Sequence, residues 1–576
     1  MIFDESRAKL ATLFAEVGAP DTGVEWVACD DARHGDYQCN AAMPLAKKLS
    51  RNPRELAAAV AEAWNRHCAT QWGALEVAGP GFLNWRLSDS ALHEAHIQRA
   101  RCQSSLEVLP EAERRTFVLD YSSPNVAKAM HVGHIRSTIL GDALARCLRA
   151  RGHRVITDNH IGDWGTQFGK LIYGWKKFGD RAAFDADPLS EMERLYKTAH
   201  ELSERDPAVL EQCRRELLLL QKGDPENRAL WELFRARSQD AFDKIYRLLD
   251  IRFDHTLGES FYRDRLGAVV SELRERGIAR ESDGAICVFF PGHRELGDKP
   301  FLIEKSDGAA LYATTDLATL QYRMETFFPD EIWYVTDMRQ SLHFAQLFET
   351  ARLWGITARL RHVAFGAILG ADRRPLKTRE GAPIRLEALL EEAVARARTL
   401  MQTRGQAREP DAEIDPEATA RALGIGAVKY ADLCQNRHLD YVFDWDKMLA
   451  FDGNTAPYLI NAHVRARSIL RKAQDCADPD PAAAPDAPIE PAEREPLLLL
   501  TRWEAVVDQV IAEQRPHHLC FYLYALAGAF HRFFENCPVL KSAGRLRSRR
   551  LALCQSVARV LGEGLRMLGI TPLERM

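Results

Sequence analysis

Apolar residues change their spacing twice along this chain of 576 residues and so divide it into three zones. Residues 1–108 contain apolar residues both at the spacing of a helix and in the pattern of a strand. The stretch 56–68, LAAAVAEAWNRHC, has apolar residues at helical spacing, whereas 79–87, GPGFLNWRL, is typical of a turn followed by a strand. This mixture predicts a small N-terminal α+β domain over residues 1–108.

Residues 109–414 alternate between strand and helix patterns. Runs with the composition of buried strands are RTFVLDY (115–121), HRVITDN (153–159), EIWYVTD (331–337) and RHVAFGAIL (361–369). Amphipathic helical patterns at 135–152 and 341–355 lie between them. Because strand–helix–strand units of this length form parallel sheets covered by helices, this zone predicts a Rossmann-type domain. A charged helical stretch around 188–250 is predicted to be an insertion in it.

Residues 415–576 carry helical spacing almost throughout. The exception is 475–493, a stretch rich in Pro, Ala and Asp, which predicts a surface loop. The zone therefore predicts an all-helical C-terminal domain. The whole chain is expected to be a multidomain α/β plus α protein.

Composition places few limits on function. The formal net charge is -4, so a nucleic-acid surface would have to be a local basic patch. The twelve cysteines include no C-x-x-C pair, which argues against a structural zinc site and favours reduced thiols in a cytoplasmic protein. No basic start with an apolar core and no long apolar run occurs, so we expect neither a signal peptide nor a membrane span.

The segment DYSSPNVAKAMHVGHIRSTILGDA (120–143) leads from a predicted strand into a predicted helix. Ligands of open parallel sheets bind beyond the carboxyl ends of the strands, where helix N-termini favour phosphate. His131 and His134 can there donate hydrogen bonds to nucleotide phosphates, and Gly133 leaves room for a base against its backbone. The alternative is that this short pattern has arisen by chance.

The motif His131-Val132-Gly133-His134 resembles the His-x-Gly-His signature of class I aminoacyl-tRNA synthetases, and its flanks are similar to the arginyl-tRNA synthetase branch. Segments resembling that family's N-terminal and anticodon-binding domains are 35–49, 451–472 and 524–540. The resemblance implies ATP-dependent activation of L-arginine to arginyl-adenylate and transfer to the 3′-terminal adenosine of tRNA-Arg. It implies ATP with Mg²⁺ as substrate, no prosthetic group, a requirement for bound tRNA during activation, and a monomer.

A binding pocket for arginine needs carboxylates, because a guanidinium presents a planar fork of donors. Tyr312 and Asp316 stand four residues apart at a predicted strand-to-helix transition, so both can face one cavity. The resemblance implies that Asp316 is the guanidinium partner, that Tyr312 packs along the substrate and that Asp120 is a second acidic contact. Alternatively, Asp316 only caps the following helix.

Four more residues are candidate arginine contacts. Ser123, Pro124 and Asn125 form the turn after the first predicted strand, and short polar side chains there can hold the amino and carboxylate groups next to His134. Ordinary turn chemistry is the alternative. The resemblance adds Gln340. His343 is interpreted as a core or helix-surface histidine without a role in binding.

The second class I signature is a loop whose cations grip the ATP phosphates. Leu376-Lys377-Thr378-Arg379 occupies the place of the family's Lys-Met-Ser-Lys-Ser, so Lys377 and Arg379 are predicted to bind ATP and to act in catalysis. Leu376 brings no charge where the first lysine would stand, and the resemblance implies that Lys128 compensates. The alternative is a solvated basic loop.

Nucleic-acid contacts are predicted in the last zone. Basic stretches lie at 462–472 and 541–550, and His531, Phe533 and Phe534 can stack anticodon bases or equally belong to the core. Two other functions stay open from the residues. One is a catalytically inactive tRNA-binding paralogue, and the other is a different class I synthetase, although the cysteinyl type would need zinc ligands.

Overall fold

The structure is a computed structural model. It describes residues 2–19, 23–29, 31–101, 106–306, 308, 311–370, 372–374, 376, 384–405, 414–473 and 488–576. None of the helices in these ranges is long and apolar enough to cross a membrane.

The N-terminal zone is the predicted α+β unit. Its elements are α1 (Ile2–Glu16), β1 (Val27–Ala28), β2 (Tyr37–Cys39), α2 (Ala42–Leu49), α3 (Pro53–His67), α4 (Ala69–Trp72), β3 (Leu75–Ala78), β4 (Phe82–Trp85) and α5 (Asp89–Arg101). The strands form an antiparallel sheet in the order β1-β2-β4-β3. Trp64 of α3 and Trp85 of β4 are fully buried with their rings 5.7 Å apart, so the helix packs against the sheet through large aromatic side chains.

The central zone contains a four-stranded parallel sheet. The chain runs through β5 (Thr116–Asp120), α6 (Val132–Ala150) and β6 (Arg154–Asp158), then through the insertion helices α7 (Gln167–Phe178), α8 (Arg181–Ala186), α9 (Pro188–Arg205), α10 (Pro207–Gln221) and α11 (Pro225–Leu248), followed by α12 (Leu266–Glu275). It continues with β7 (Ala279–Ser282), β8 (Ala285–Val288), β9 (Phe301–Glu304), α13 (Tyr312–Phe327), β10 (Glu331–Tyr334), α14 (Ser341–Trp354), β11 (Arg359–His362), β12 (Ile368–Leu369) and α15 (Leu386–Gly405).

The parallel strands lie in the order β11-β10-β5-β6, and β7, β8 and β9 form a separate antiparallel sheet. The register of the parallel sheet aligns its carboxyl ends, so that His362, Tyr334, Asp120 and Asp158 form one row. The alternating pattern therefore predicted this sheet correctly.

Helix α6 approaches β5 closely because Gly141 has no side chain: a Cβ atom there would lie 2.1 Å from the Tyr121 ring.

One predicted strand was wrong in its extent. The stretch 361–369 is not a single strand: β11 ends at His362, and β12 pairs instead with β13 (Tyr441–Val442) in a two-stranded sheet. The apolar residues at the break, Val363, Ala364 and Phe365, are buried like those of a strand, so composition alone could not locate it.

The last zone is a helical bundle, as predicted. Besides β13 its elements are α16 (Pro416–Leu433), α17 (Trp445–Met448), α18 (Ala456–Lys472), α19 (Pro491–Leu500), α20 (Trp503–Glu513), α21 (His517–Asn536) and α22 (Gly544–Met567). Most of the predicted loop at 475–493 falls outside the described residues, and α19 begins within its last three residues.

Buried charges join the three zones. Arg136 of α6 lies 3.2 Å from Asp432 of α16, and both side chains are almost fully buried. Arg494 of α19 donates two hydrogen bonds to the Asp36 carboxylate, at 3.0 and 2.8 Å. An isolated buried charge is costly, so each pair favours the docked arrangement over one in which a single partner stays buried.

Candidate active site

The predicted site residues surround the carboxyl edge of the parallel sheet between β5 and β10. Strand β5 connects through α6 to β6 on one side, and β10 lies on its other side, so the strand order reverses here. Such a switch point leaves a crevice above the strand ends, where ligands of open α/β sheets bind. The candidates after β5 and those after β10 are therefore brought together.

The loop after β5 is strained. Ser122, Ser123 and Ala127 have φ values of 75°, 49° and 63°, which residues other than glycine rarely adopt. Side chains from other elements hold this backbone: Ser137 Oγ accepts from the Ser122 amide at 2.8 Å, and Ser238 Oγ accepts from the Ala127 amide at 2.9 Å. Strain of this kind, stabilised from outside the loop, is typical of functional sites.

The three candidate residues of this loop differ in their placement. The Ser123 hydroxyl donates to Asp120 Oδ1 at 3.0 Å. Pro124 is buried, whereas Asn125 is exposed and its amide oxygen lies where a Cβ of Gly162 would be. Asn125 is thus the residue of this turn that most directly faces solvent at the sheet edge.

His131 and His134 form the start of α6. His131 is the N-cap residue; its Nδ1 accepts from the Gly133 amide at 3.0 Å, and the His131 amide donates to Nδ1 of His134 at 3.1 Å. Because each Nδ1 accepts a hydrogen bond, the neutral rings carry their proton on Nε2. Both histidines therefore keep one N–H donor free of the cap.

The environment keeps these rings neutral. Burial, with the charges of His131 and Lys128, lowers the pKa of His134 to about 4. Burial and Lys128 also lower the pKa of His131. At neutral pH the pair thus offers hydrogen bonds without positive charge, and Lys128 supplies the cation beside them.

The absence of a side chain at Gly133 makes room for the His131 ring as well as for a ligand. A Cβ at this position would lie 2.8 Å from Cε1 of His131, so the glycine is required by the His131 ring. Its exposed backbone is also compatible with the predicted nucleotide base.

The predicted loop cations Lys377 and Arg379 lie outside the described residues. Their neighbours in the chain are anchored beside the site: the Leu376 amide donates to Ile368 O at 3.3 Å, and the Val132 amide donates to Ile384 O at 3.0 Å. The described residues on either side of this loop therefore lie next to β12 (Leu376) and next to His131 (Ile384).

Tyr312 and Asp316 lie on one face of α13. The helix begins at Tyr312 with Leu311 as its N-cap, so the alternative that Asp316 caps this helix is wrong. Asp316 Oδ2 lies 2.5 Å from Nε2 of His343, a residue interpreted from sequence as having no role. Tyr312 is 67% exposed at the mouth of the site.

Sequence reasoning missed a second carboxylate, Glu259, which opens a 3-10 helix (Glu259–Arg265). Burial, opposed by His160 and reinforced by Asp163 and Asp316, raises the pKa of Glu259 to about 7. No periodic pattern marks this residue; its position after Gly258 in a turn was the only local signal.

Tyr196 of the insertion helix α9 connects the two halves of the site. Lys128 Nζ lies 5.4 Å from the centre of the Tyr196 ring. Partial burial, Glu259 and Tyr196 together raise the pKa of Tyr312. Lys128 and Tyr196 thus link the histidine pair to Tyr312, Glu259 and Asp316.

The Asp120 carboxylate accepts hydrogen bonds from other side chains of the protein. Arg323, which is fully buried, donates from Nη2 to Asp120 Oδ2 at 2.7 Å and to Asp158 Oδ2 at 2.8 Å. Both Asp120 oxygens therefore already accept a hydrogen bond, one from Ser123 and one from Arg323. Gln340 ends a 3-10 helix (Met338–Gln340) and is exposed at the same edge.

The predicted nucleic-acid residues divide into two groups. Phe533 is fully buried, and Arg549 and Arg550 are buried against the Glu493 carboxylate, so these three belong to the core. Phe534 is 40% exposed, with the Arg465 guanidinium 5.0 Å from the centre of its ring. His531 is half-buried and lies 3.0 Å from the Tyr458 hydroxyl.

Metal ligation and disulfides find no support in the part of the chain that the structure describes. Within it, no three His, Cys, Asp or Glu side chains are grouped so as to hold a metal ion. Its ten cysteines are free thiols; Cys102 and Cys476 lie outside it.

Three family models match successive parts of this chain. Residues 7–87 match the model described as the arginyl tRNA synthetase N terminal domain. Residues 96–445 match tRNA synthetases class I (R), catalytic domain, and residues 459–576 match the DALR anticodon binding domain. The three matches follow the order of the three zones.

Whole-chain relatives agree with these matches. The arginine–tRNA ligase of Synechococcus elongatus is 43% identical, over 99% of this chain and 99% of its own. That of Rhodopirellula baltica is 40% identical, over 95% of each chain. The solved structure of Thermus thermophilus arginyl-tRNA synthetase superimposes with a TM-score of 0.81 at 26% identity, covering 100% of both chains.

Proposed function

The chain belongs to the arginyl-tRNA synthetases of class I, which attach arginine to tRNA, and we propose that the crevice between β5 and β10 is its active site. The α-carboxylate of arginine attacks the α-phosphate of Mg²⁺-bound ATP, giving arginyl-adenylate and pyrophosphate. A hydroxyl of the 3′-terminal adenosine of tRNA-Arg then attacks the arginyl carbonyl, which forms the ester and releases AMP. One observation supports the proposal: neutral histidine donors at a helix start are linked, through Lys128, Tyr196 and Tyr312, to the neighbouring carboxylates of Asp316 and Glu259.

His131 and His134 are proposed to stabilise the reacting phosphate. As the carboxylate attacks, negative charge builds on the phosphate oxygens, and the two Nε2–H groups are fixed donors for it at the positive end of α6. Fixed donors need no reorganisation during the reaction. Gly133 is proposed to lie next to the bound adenosine.

Three cations are proposed to complete the phosphate site. Lys128 acts on the histidine pair electrostatically, which supports a position within reach of ATP phosphates. Lys377 and Arg379 are proposed to approach from the loop between Leu376 and Ile384. Their role rests on the family resemblance.

The guanidinium group is proposed to lie between Asp316 and Glu259. A planar cation with several N–H donors matches two carboxylates better than one, and Tyr312 can pack along its side chain. A guanidinium between them would also oppose the burial and the neighbouring carboxylates that raise the pKa of Glu259.

The α-amino and carboxylate groups are proposed to lie at the loop after β5. Asn125 and Gln340 are exposed on the two sides of the switch point and can bond these groups directly. Ser123 and Pro124 shape the loop, and Asp120 contributes through Ser123 or as a direct acidic contact.

The tRNA is proposed to contact all three zones. Residues 1–108 are proposed as a tRNA-binding domain, 109–414 as the catalytic domain and 415–576 as the anticodon-binding domain. The rings of Tyr458 on α18 and Tyr524 on α21 lie 5.4 Å apart, and Tyr524 and Phe534 of α21 are 37% and 40% exposed. Exposed rings beside Arg465 are suited to stacking on unpaired bases. We further propose a cytoplasmic monomer.

Pyrophosphate exchange tests this function directly. ATP–pyrophosphate exchange should be measured with each of the twenty amino acids, with and without bulk tRNA. We expect exchange with arginine alone, and only when tRNA is present. Exchange with a different amino acid, or none with any, would reject the proposal and favour another synthetase or an inactive tRNA-binding paralogue.

A further inference from the structure

We propose that His343 is a positioning residue that fixes the carboxylate of Asp316 for a guanidinium ligand. The inference rests on the arginine site proposed above and adds to it a residue that touches no substrate. His343 lies in the first turn of α14, and Asp316 lies in α13. Nε2 of His343 and Oδ2 of Asp316 are 2.5 Å apart, which is within hydrogen-bond distance.

The imidazole packs against two aromatic rings. The Phe301 ring contacts it edge-on with centroids 5.5 Å apart, and the Phe344 ring does so at 5.4 Å. Both phenylalanines are buried. Because these contacts restrict the imidazole, the hydrogen bond in turn restricts the position of the Asp316 carboxylate.

The pair is also partly shielded from water. The side chains of His343 and Asp316 are 27% and 23% exposed. At this exposure a hydrogen bond to a carboxylate is stronger than at an open surface, and the rest of the carboxylate stays accessible from the crevice.

This arrangement selects the kind of cation that binds. His343 occupies one acceptor position on Oδ2, so Asp316 offers its remaining lone pairs in a fixed direction. Glu259 supplies the second carboxylate. A planar guanidinium can donate to both from separate nitrogens, whereas the ammonium group of lysine cannot span them in one plane. We therefore infer that His343 contributes to the choice of arginine over lysine.

Two substitutions separate the hydrogen bond from packing. His343→Leu keeps an apolar side chain against the phenylalanines but removes the donor, and His343→Gln retains an N–H donor. Full-length variants should be assayed by ATP–pyrophosphate exchange with saturating tRNA, varying arginine and ATP in turn. We expect His343→Leu to raise the KM for arginine about tenfold or more, while the KM for ATP changes less than about twofold. His343→Gln should recover most of the loss.

A double-mutant cycle tests whether the effect passes through Asp316. In an Asp316→Asn background, adding His343→Leu should change the KM for arginine by less than about twofold. His518→Leu is a matched control in α21, since His518 Nε2 lies 2.9 Å from Glu513 and its side chain is 22% exposed. It should leave the KM for arginine at the parent value.

Three results would overturn the proposal. The first is a folded His343→Leu protein with the parent KM for arginine. The second is an equal rise of both KM values together with a lowered melting temperature, which indicates a purely structural histidine. The third is additivity with Asp316→Asn. By contrast, a parent protein that fails to activate arginine rejects the proposed function itself, and the positioning role with it.

Discussion

The backbone amide of His131 donates to Nδ1 of His134 at 3.1 Å, and this bond determines which nitrogen of His134 faces the crevice. With Nδ1 occupied, the neutral ring can offer only its Nε2–H group. Since the pKa of His134 is lowered to about 4, the ring stays neutral across the physiological range.

His134→Ala should therefore reduce adenylate formation at least about tenfold, because it removes one fixed donor to the reacting phosphate. In the parent, kcat at saturating arginine should not fall between pH 8 and pH 6 through protonation of His134, since its pKa is lowered to about 4. Both are measured by pyrophosphate exchange, with circular dichroism as the control for folding. Near-normal exchange by a folded His134→Ala protein would remove this residue from catalysis.

Glu259 should make arginine binding depend on pH. Its pKa is raised to about 7, so it is protonated below that pH and ionised above it. A guanidinium binds the ionised form, so the KM for arginine should rise as pH falls. The rise from pH 8 to pH 6 should be about tenfold.

Glu259→Gln should flatten this pH profile and keep the KM high throughout, and the KM for ATP provides the internal control. A parent profile without a change near pH 7 would show that Glu259 does not meet the substrate.

Asp316→Asn tests the charge at the other side of the guanidinium. The change keeps the shape but leaves the cation facing a neutral amide, so kcat/KM for arginine should fall by roughly tenfold or more. Citrulline is uncharged, so its weak inhibition of exchange should change much less. If the variant activates arginine as well as the parent does, specificity has to be sought at Glu259 and Asp120.

Lys128 and Arg379 are predicted to act on the same phosphates. Lys128→Ala should raise the KM for ATP, and the combination with Arg379→Ala should cost more than either change alone. The matched control is Lys447→Ala, an exposed lysine that pairs with Asp444 in the C-terminal zone. Unchanged ATP kinetics in Lys128→Ala would show that this lysine does not compensate for Leu376.

Several parts of this protein were predictable from short stretches of sequence. The parallel sheet, α6 and the helical last zone follow from the alternation of short apolar runs, typical of buried strands, with stretches of helical periodicity. The position of His131 and His134 also follows locally, since their segment joins a strand to a helix. Tyr312 and Asp316 shared a face because residues four apart do so on any helix.

Pairings between distant residues were decided only by the tertiary structure. Arg323 reaches Asp120 across 203 residues and so pairs with a carboxylate that sequence offered as a substrate contact. Glu259 and His343 belong to elements that carry no recognisable motif. Arg549 and Arg550, which sequence predicted to be on a basic surface, are buried and pair with Glu493. Sequence determines which charges exist and the local element that carries each one. Whether a charge meets substrate, solvent or an opposite charge depends on burial and on neighbours that only the packed chain brings together.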